Sequence, residues 1–424
     1  MNKDKLQIIN IGPIKEAKLY LNKINIFIGE QSSGKSTIAK IISYCKWVEK
    51  DICIHQSYSK YLTEKEYFIE KLESFHNMKG YFNEKSEILY ESSTIKINFR
   101  KGETDISWVN RFLYRRNKIS YIPSERSIAI LPEIDTVELP NNYLKSFLFD
   151  WLNSRKIYSN NKRLSLIDLG VDFYYSESNK ENHIRNKSNS YDIVLSNASS
   201  GLQSITPLVV MTDHLINYIY LEEQNQSYEI DVLKAKVTQI LVSELLLKPI
   251  YGRDYSNKEE RKKIIEELNE KIANKDNTVL KYVKHYNKVR DNLFKTQGTN
   301  LIIEEPEQNL FPATQKSLIY FLLDSISKNE NHTLTLTTHS PYVLYAINNC
   351  IMTSLVWDKL SEEDKDKLKC INNNISSDSI SIYEIKNGTI NCIQENGLIG
   401  ENFFDNQMKD VMDEFYLMLN YYND

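Results

Sequence analysis

The stretch Ile24-Asn-Ile-Phe-Ile-Gly29-Glu-Gln-Ser-Ser-Gly34-Lys35-Ser36-Thr37 decides the fold. Its apolar start predicts a buried strand, and the loop that follows matches the pattern GxxxxGK[ST]. Ile38, Ile41 and Ile42 then begin a helical stripe. In such a strand–loop–helix unit the loop amides and the helix N-terminus bind phosphate oxygens. The sequence therefore predicts a phosphate-binding loop, the alternative being a chance match in a loop rich in glycine and serine.

The residues of this loop (the P-loop, residues 29–37) have separate predicted roles in binding ATP and Mg²⁺. We expect Lys35 to bridge the β- and γ-phosphates and to act as a catalytic residue. We expect the Ser36 hydroxyl to ligate Mg²⁺. Glycine is scarce, with 12 in 424 residues, so we expect each one in a motif to be needed there. The remaining residues expected to line the nucleotide are Gly29, Gln31, Ser32, Ser33, Gly34 and Thr37.

A second acidic element follows another apolar run, Leu301-Ile-Ile303-Glu304-Glu305. We expect Glu304 to hold Mg²⁺ through water and Glu305 to accept a proton from the attacking water. Two adjacent carboxylates at a strand end are unfavourable unless a metal compensates their charge. The alternative is a solvent-exposed strand end.

The distance between the motifs indicates the class of ATPase. Lys35 and Glu304 lie 269 positions apart, far more than a compact P-loop core needs. Between them, Ser199-Ser200-Gly201-Leu-Gln203 is a small-residue loop at a predicted helix start, again suited to phosphate. Two such loops in one chain are typical of an ABC-type head, in which one protomer's second loop caps the ATP bound by its partner. A plain helix N-cap is the alternative for residues 199–203.

Four strings together, GEQSSGKST, ASSGLQS, IIEEPEQNLFP and TTHSPYVL, resemble the prokaryotic ABC-type ATPases of the OLD-like, RecF/SMC-related group, which includes ATPases of phage-defence systems. The resemblance covers residues 1–48, 119–127, 191–215 and 298–347. It implies an α/β P-loop NTPase head with a mixed sheet and a mostly helical insertion. It also implies that Glu304 binds Mg²⁺, Glu305 is the general base, His339 is a switch histidine at the γ-phosphate, and Ser200 and Gly201 act in trans. A structural role for His339 stays open.

The expected organisation has three parts. Residues 1–222 form the first part of the ATPase head, with an insertion at 49–118 and the signature-like loop at 196–204. Residues 223–297 form a helical insertion, and residues 298–424 complete the head with a C-terminal hairpin and helix. In the run YIPSERS, Glu125 or Arg126 is expected either to sense nucleotide or to form a surface salt bridge.

Composition excludes several classes of protein. The net charge of −4 means that the chain lacks the overall positive charge typical of nucleic-acid-binding proteins. The five scattered cysteines predict neither disulfides nor a zinc site, and no apolar run approaches the length of a membrane span, so we expect a cytoplasmic protein. The resembling OLD nucleases carry a Toprim domain after the head; here the only DxD after His339, Asp364 to Asp366, lies in a solvated charge run.

Two functional hypotheses from different classes remain. The first is an ATPase that forms a homodimer or higher homo-oligomer around ATP and controls a separately encoded nuclease or toxin in anti-phage defence. The second is a DNA-binding clamp for repair or chromosome maintenance. A predicted basic helix face could contact nucleic acid or an acidic partner, or could simply be solvated; it comprises Lys281, Lys284, Lys288 and Lys295.

Overall fold

An eleven-stranded mixed sheet forms the centre of the computed structural model, which describes residues 3–64, 66–131, 134–188, 190–220, 228–253, 257–370 and 375–422. In chain order the strands are β1 (Asp4–Ile11), β2 (Ile14–Leu21), β3 (Ile24–Gly29), β4 (Glu87–Glu91), β5 (Ile95–Arg100), β6 (Glu103–Trp108), β7 (Asn117–Ile122), β8 (Leu164–Ser165), β9 (Val171–Ser176), β10 (Glu181–Asn186), β11 (Asp192–Val194), β12 (Gly298–Glu304), β13 (Thr333–Thr337), β14 (Ile380–Lys386), β15 (Thr389–Cys392), β16 (Gln394–Glu395) and β17 (Leu398–Ile399).

The main sheet has the order β6-β5-β4-β1-β2-β15-β14-β3-β13-β12-β7. Its core, β14-β3-β13-β12-β7, is parallel throughout. The carboxyl ends of these strands therefore meet at one edge, where ligands bind in open α/β sheets. Strands β8–β11 form a separate four-stranded antiparallel sheet.

Helices cover both faces of the parallel core, as its two-sided burial requires. They are α1 (Lys35–His55), α2 (Ser59–Thr63), α3 (Tyr67–His76), α4 (Tyr143–Arg155), α5 (Ser200–Asn217), α6 (Tyr228–Val242), α7 (Lys248–Tyr251), α8 (Lys258–Ala273), α9 (Asn277–Phe294), α10 (Pro312–Ser327), α11 (Pro341–Val356), α12 (Glu362–Lys367) and α13 (Phe403–Tyr422).

Strand β3 divides the hydrophobic core in two. Ile24, Ile26 and Ile28 belong to the cluster that contains residues of α5, α10 and α11, whereas Phe27 belongs to the cluster around α1. Each of these four side chains is fully buried, which contributes roughly 2 kcal/mol per residue. The strand that carries the P-loop is therefore held from both sides, and the loop starts from a rigid support.

The predicted α/β class is confirmed, and so is the order of strand, loop and helix around the P-loop. Residue 49, the expected start of an insertion, lies inside α1, and strands β4–β6 join the main sheet. In the expected first part of the head, residues 1–222, the last helix α5 ends at Asn217, and residue 222 lies outside the described residues.

The helical segment packs against the head through α6 and α9, which join the cluster around α1. The expected segment 223–297 includes residues 223–227 and 254–256, which lie outside the described part of the chain. Lys281, Lys284 and Lys288 are exposed on α9 as predicted. The prediction is wrong for Lys295, because α9 ends at Phe294 and Lys295 has extended backbone, with its ammonium group 3.1 Å from Asp291.

Two further features concern the outer surface. Helix α13 has no buried residue along its length. None of the helices in the described ranges combines the length and the apolar character needed to cross a membrane.

Candidate nucleotide-binding site

The P-loop connects the end of β3 to the start of α1 and is shaped by two glycines. Gly29 has φ 144° and Gly34 has φ 109°, values that favour glycine. A Cβ at Gly29 would lie 2.5 Å from the Ile385 carbonyl oxygen, and one at Gly34 would lie 2.4 Å from Ile14 Cδ1. Gln31 and Ser32 are exposed at the tip, whereas Thr37 is buried in α1. The backbone thus closes tightly around the loop while its tip faces solvent.

Lys35 lies under this loop and is only 4% exposed. Its ammonium group donates to the carbonyl oxygens of Gly29, at 2.9 Å, and Glu30, at 2.7 Å. Burial lowers the pKa of Lys35 to about 8, and the charges of Glu305 and Glu307 oppose that shift. The motif lysine and the acidic motif, far apart in sequence, therefore act on each other electrostatically.

Glu304 ends β12 and is 3% exposed. Its Oε1 atom is buried and makes no hydrogen bond within 3.5 Å among the described residues. The Tyr121 hydroxyl lies near this carboxylate, and burial together with the Glu304 charge raises the pKa of Tyr121. Oγ1 of Thr337, the residue that pairs with Glu304 across β12 and β13, is likewise buried and makes no hydrogen bond among the described residues. Buried oxygens without a donor are unfavourable, and hard oxygen ligands of this kind suit Mg²⁺. The described part of the chain has no group of three or more His, Cys, Asp or Glu residues that could hold a metal ion.

Glu305 and His339 face each other although they follow different strands. Glu305 follows β12 and His339 follows β13, and Nε2 of His339 lies 3.5 Å from Oε1 of Glu305. The hydrogen bond from His339 is the main reason that the pKa of Glu305 lies below its ordinary value. Glu305 is about one-third exposed and has φ 44°, a left-handed conformation unusual for a residue other than glycine. An ionised carboxylate is thus presented at the sheet edge.

Glu307 is a residue of the site that the sequence predictions missed. Its Oε1 accepts a hydrogen bond of 2.6 Å from the backbone N–H of His339. Burial raises the pKa of the Glu307 carboxyl. Glu307 therefore fixes the backbone on which the His339 side chain stands. The sequence gives one signal for Glu307, its place in the quoted string EEPEQ. Its partner gives no signal, because a carboxylate that accepts from a backbone N–H does not depend on the side chain of the donor residue.

Arg126 corrects one of the two alternatives offered for the run YIPSERS, the surface salt bridge. It is fully buried, so it is not part of a surface salt bridge. Its guanidinium donates to the backbone oxygens of Glu304, at 3.0 Å, and Glu305, at 2.8 Å. Glu125 is exposed and accepts a hydrogen bond of 3.1 Å from Tyr143 Oη.

The signature-like loop is positioned by the start of α5 and by the segment that follows Glu305. Ser200 is exposed and is the first residue of α5, and Ser199 caps the helix. A Cβ at Gly201 would lie 3.0 Å from the Asn309 carbonyl oxygen, which places the loop beside the segment that follows Glu305. Among the described residues, no hydrogen bond or ion pair joins Ser200 or Gly201 to residues 29–37. The structure therefore brings together Lys35, Glu304, Glu305 and His339, whereas Ser200 and Gly201 make no polar contact with the P-loop in the described residues.

The strand order and the loop define a P-loop nucleoside triphosphatase fold. The chain belongs to the AAA domain family, whose model matches residues 5–279.

The comparison with solved structures finds matches of low identity and low TM-score. The SMC head domain from Thermotoga maritima is 11% identical, with 93% of this chain and 100% of that chain covered and a TM-score of 0.38. The recombination mediator protein RecF is also 11% identical, with 93% and 99% covered and a TM-score of 0.30. An Smc head domain from Pyrococcus furiosus is 8% identical, with 97% and 98% covered and a TM-score of 0.36. No curated protein matches the chain.

Proposed function

We propose that this protein binds ATP with Mg²⁺ and hydrolyses it. The observation that carries the proposal is the meeting of three motifs at one sheet edge. The P-loop follows β3, His339 follows β13 and Glu305 follows β12, and these three strands are neighbours in the parallel core. A γ-phosphate held by the P-loop amides would then lie between the Lys35 ammonium group and the Glu305 carboxylate.

Each residue has a distinct part in this chemistry. Lys35 exchanges its bonds to the loop carbonyls for phosphate oxygens and balances their charge. Glu305 accepts a proton from the attacking water, and its lowered pKa keeps it ionised and ready at neutral pH. His339 orients that carboxylate and approaches the γ-phosphate.

The residues that would hold Mg²⁺ are Ser36 and Glu304. Oε1 of Glu304 fits the ion, because it is a buried hard oxygen that makes no hydrogen bond within 3.5 Å in the described residues, with only the Tyr121 hydroxyl nearby as a donor. Mg²⁺ in such sites needs few protein ligands, since the nucleotide phosphates supply others. When bound, the ion neutralises charge that develops on the phosphate oxygens.

We propose further that two copies assemble head to head around two ATP molecules, so that Ser200 and Gly201 complete the partner's site. The exposure of Ser200 at the start of α5, and the lack of any hydrogen bond from it to the P-loop of its own chain in the described residues, support this arrangement. A helix N-terminus offers free N–H groups to phosphate. The assembly is a homodimer or a higher homo-oligomer built from such pairs.

The favoured biological role is control of a separately encoded nuclease or toxin in cytoplasmic anti-phage defence, and the motif resemblance supports it. A DNA repair or chromosome-maintenance ATPase is the second candidate, favoured by the three exposed lysines on α9. Gene neighbours discriminate between the two, because a nuclease or toxin gene points to defence and replication genes point to repair.

Phosphate release from Mg·ATP tests the proposed activity. The wild-type protein should turn over ATP, and turnover should stop when EDTA removes the divalent cation. Lys35→Ala should abolish binding of a fluorescent ATP analogue while leaving thermal unfolding of the free protein little changed. A wild-type protein that binds the analogue no better than Lys35→Ala would contradict the proposal.

A further inference from the structure

Arg126 stands between two parts of the candidate site, the turn at Glu305 and helix α5. It begins a 3₁₀ turn, Arg126–Ile130, soon after β7, and its side chain is fully buried. A buried guanidinium is unfavourable unless its donors are all used. One bond, of 3.4 Å, goes to the nearby Pro123 carbonyl, and the others go to backbone and hydroxyl oxygens of those two segments.

The first segment is the turn at Glu305. Nη1 of Arg126 donates to the Glu304 carbonyl and Nη2 to the Glu305 carbonyl. These carbonyls belong to the two peptide groups that flank the Cα atom of Glu305, so holding both of them fixes the φ and ψ of that residue. Glu305 has φ 44°, a conformation that costs on the order of 1–3 kcal/mol and persists only where surrounding contacts enforce it.

The second segment is α5. Nε of Arg126 donates to the Ser204 carbonyl at 3.3 Å, and Nη2 donates to Ser204 Oγ at 3.1 Å. Ser204 lies one turn along the helix from Ser200, the residue proposed to meet the partner's nucleotide. A helical turn is stiff over this length, so a shift of the start of α5 also moves Ser204.

We propose that Arg126 is a positioning residue that links occupancy of the signature-like loop to the geometry of Glu305. Docking of the partner's nucleotide on Ser200 and Gly201 fixes the position of α5. The hydrogen bonds between Ser204 and Arg126 transmit that position to the peptide groups on either side of Glu305. Each carboxylate is then best aligned for proton transfer when its own protomer caps the partner's ATP, and hydrolysis continues slowly when it does not. This inference rests on the proposed ATPase function.

Arg126→Lys tests the proposed link between α5 and Glu305. Lysine keeps the positive charge but lacks the planar guanidinium that donates to both segments at once. ATP affinity and ATP-dependent self-association should stay within about twofold of wild type, since neither the P-loop nor Ser200 changes. The rate constant for hydrolysis should fall about 10- to 100-fold, as expected when a reacting group is misplaced by about 1 Å. Hydrolysis per protomer should also stop rising with protein concentration, although dimers form.

Two further variants keep the test decisive. Ser204→Ala removes one acceptor only, so it should fold normally and lower the rate constant several-fold at unchanged ATP affinity. Arg155→Lys is the matched control, because Arg155 is another buried arginine (2% exposed) that packs on the Tyr175 ring at 4.4 Å, away from the site. It should change thermal stability but not the dependence of hydrolysis on assembly.

The outcomes separate the inference from the proposed function. If wild-type protein hydrolyses ATP and associates with it, but Arg126→Lys and Ser204→Ala behave like wild type, the inference is wrong and the function stands. If Arg126→Lys and Ser204→Ala lose self-association together with hydrolysis, Arg126 only supports the fold and the inference is again wrong. If the wild-type protein itself neither binds nor hydrolyses ATP, the proposed function has failed.

Discussion

Nε2 of His339 lies 3.5 Å from Oε1 of Glu305, and each residue follows its own strand of the parallel core. The pairing follows from the register of β12 and β13, in which Glu304 lies opposite Thr337. Both strands end at that pair, and Glu305 and His339 lie one and two residues further along the chain, so the two side chains meet at the sheet edge. A residue suited to accept a proton and a residue suited to contact the γ-phosphate are therefore neighbours above the P-loop.

Glu305→Gln should keep ATP binding and remove turnover, because the amide preserves the shape of the side chain but cannot accept the proton. We expect ATP affinity within a few-fold of wild type and a loss of at least about 100-fold in steady-state hydrolysis, in line with the contribution of a positioned general base. Phosphate release and equilibrium binding on the same preparation measure both quantities. Hydrolysis close to the wild-type rate would remove Glu305 from the role of base.

Lys35 predicts a pH dependence of ATP binding. Burial lowers the pKa of its ammonium group to about 8 in the free protein. Below pH 8 the group carries the charge that meets the phosphates, and above pH 8 the free protein must take up a proton before it can do so. ATP affinity should therefore fall as the pH rises from 7 to 9. Titration calorimetry in buffers of different ionisation enthalpy should show proton uptake near pH 8.5, and affinity independent of pH over this range would contradict the assignment.

Gly34→Ala should disrupt the P-loop. The new methyl group would lie 2.4 Å from Ile14 Cδ1, on a backbone with φ 109°. We expect loss of ATP binding and a drop of roughly 1–3 kcal/mol in the free energy of unfolding. Gly102→Ala is the matched control, because Gly102 also has positive φ (75°) but nothing within 4 Å of the added Cβ. It should cost less stability and leave ATP binding intact, and equal effects of the two variants would show that crowding at the loop is irrelevant.

The lysines on α9 predict how any DNA binding depends on salt. Changing Lys281, Lys284 and Lys288 to Glu should reduce the slope of log affinity against log salt concentration by about three units if each contacts a phosphate. Basal ATP hydrolysis should be unaffected. The control is the same change at Lys85, Lys96 and Lys101, which are exposed on the β4–β6 part of the head. Equal slopes for the two variants would mean that this face is not a DNA contact, and co-purification of an effector then tests whether it binds an acidic partner.

The sequence was sufficient to predict the elements that depend on local pattern. The apolar run before Gly29 and the motif after it specify β3, the P-loop and α1, and the carboxylates after Leu301 mark the end of β12. The role of Arg126 was not predictable, because its partners are backbone oxygens of Glu304 and Glu305, and a carbonyl leaves no trace in the sequence. Lys295 was misplaced because α9 ends before the strand that begins at Gly298, and a helical spacing does not show where the helix stops.

A mixing experiment tests the central claim, that each ATP site combines the P-loop of one protomer with Ser200 and Gly201 of its partner. Lys35→Ala and Ser200→Arg should each be inactive alone. A dimer of Lys35→Ala lacks the P-loop lysine at both sites, and a dimer of Ser200→Arg lacks the intact signature-like loop at both sites. Mixed in equal amounts before ATP is added, they should form heterodimers with one intact site and hydrolyse ATP faster than either variant alone. Random pairing of two subunits sets a ceiling of about a quarter of the wild-type rate. The Arg126 link lowers the rate below that ceiling, because Glu305 of the intact site belongs to the protomer that carries Ser200→Arg. The control is Lys35→Ala mixed with the double variant Lys35→Ala/Ser200→Arg, which should stay inactive. Recovery in the first mixture alone is the predicted result; substantial hydrolysis by Ser200→Arg on its own, or no recovery in a mixture shown to form heterodimers, would contradict the composite site.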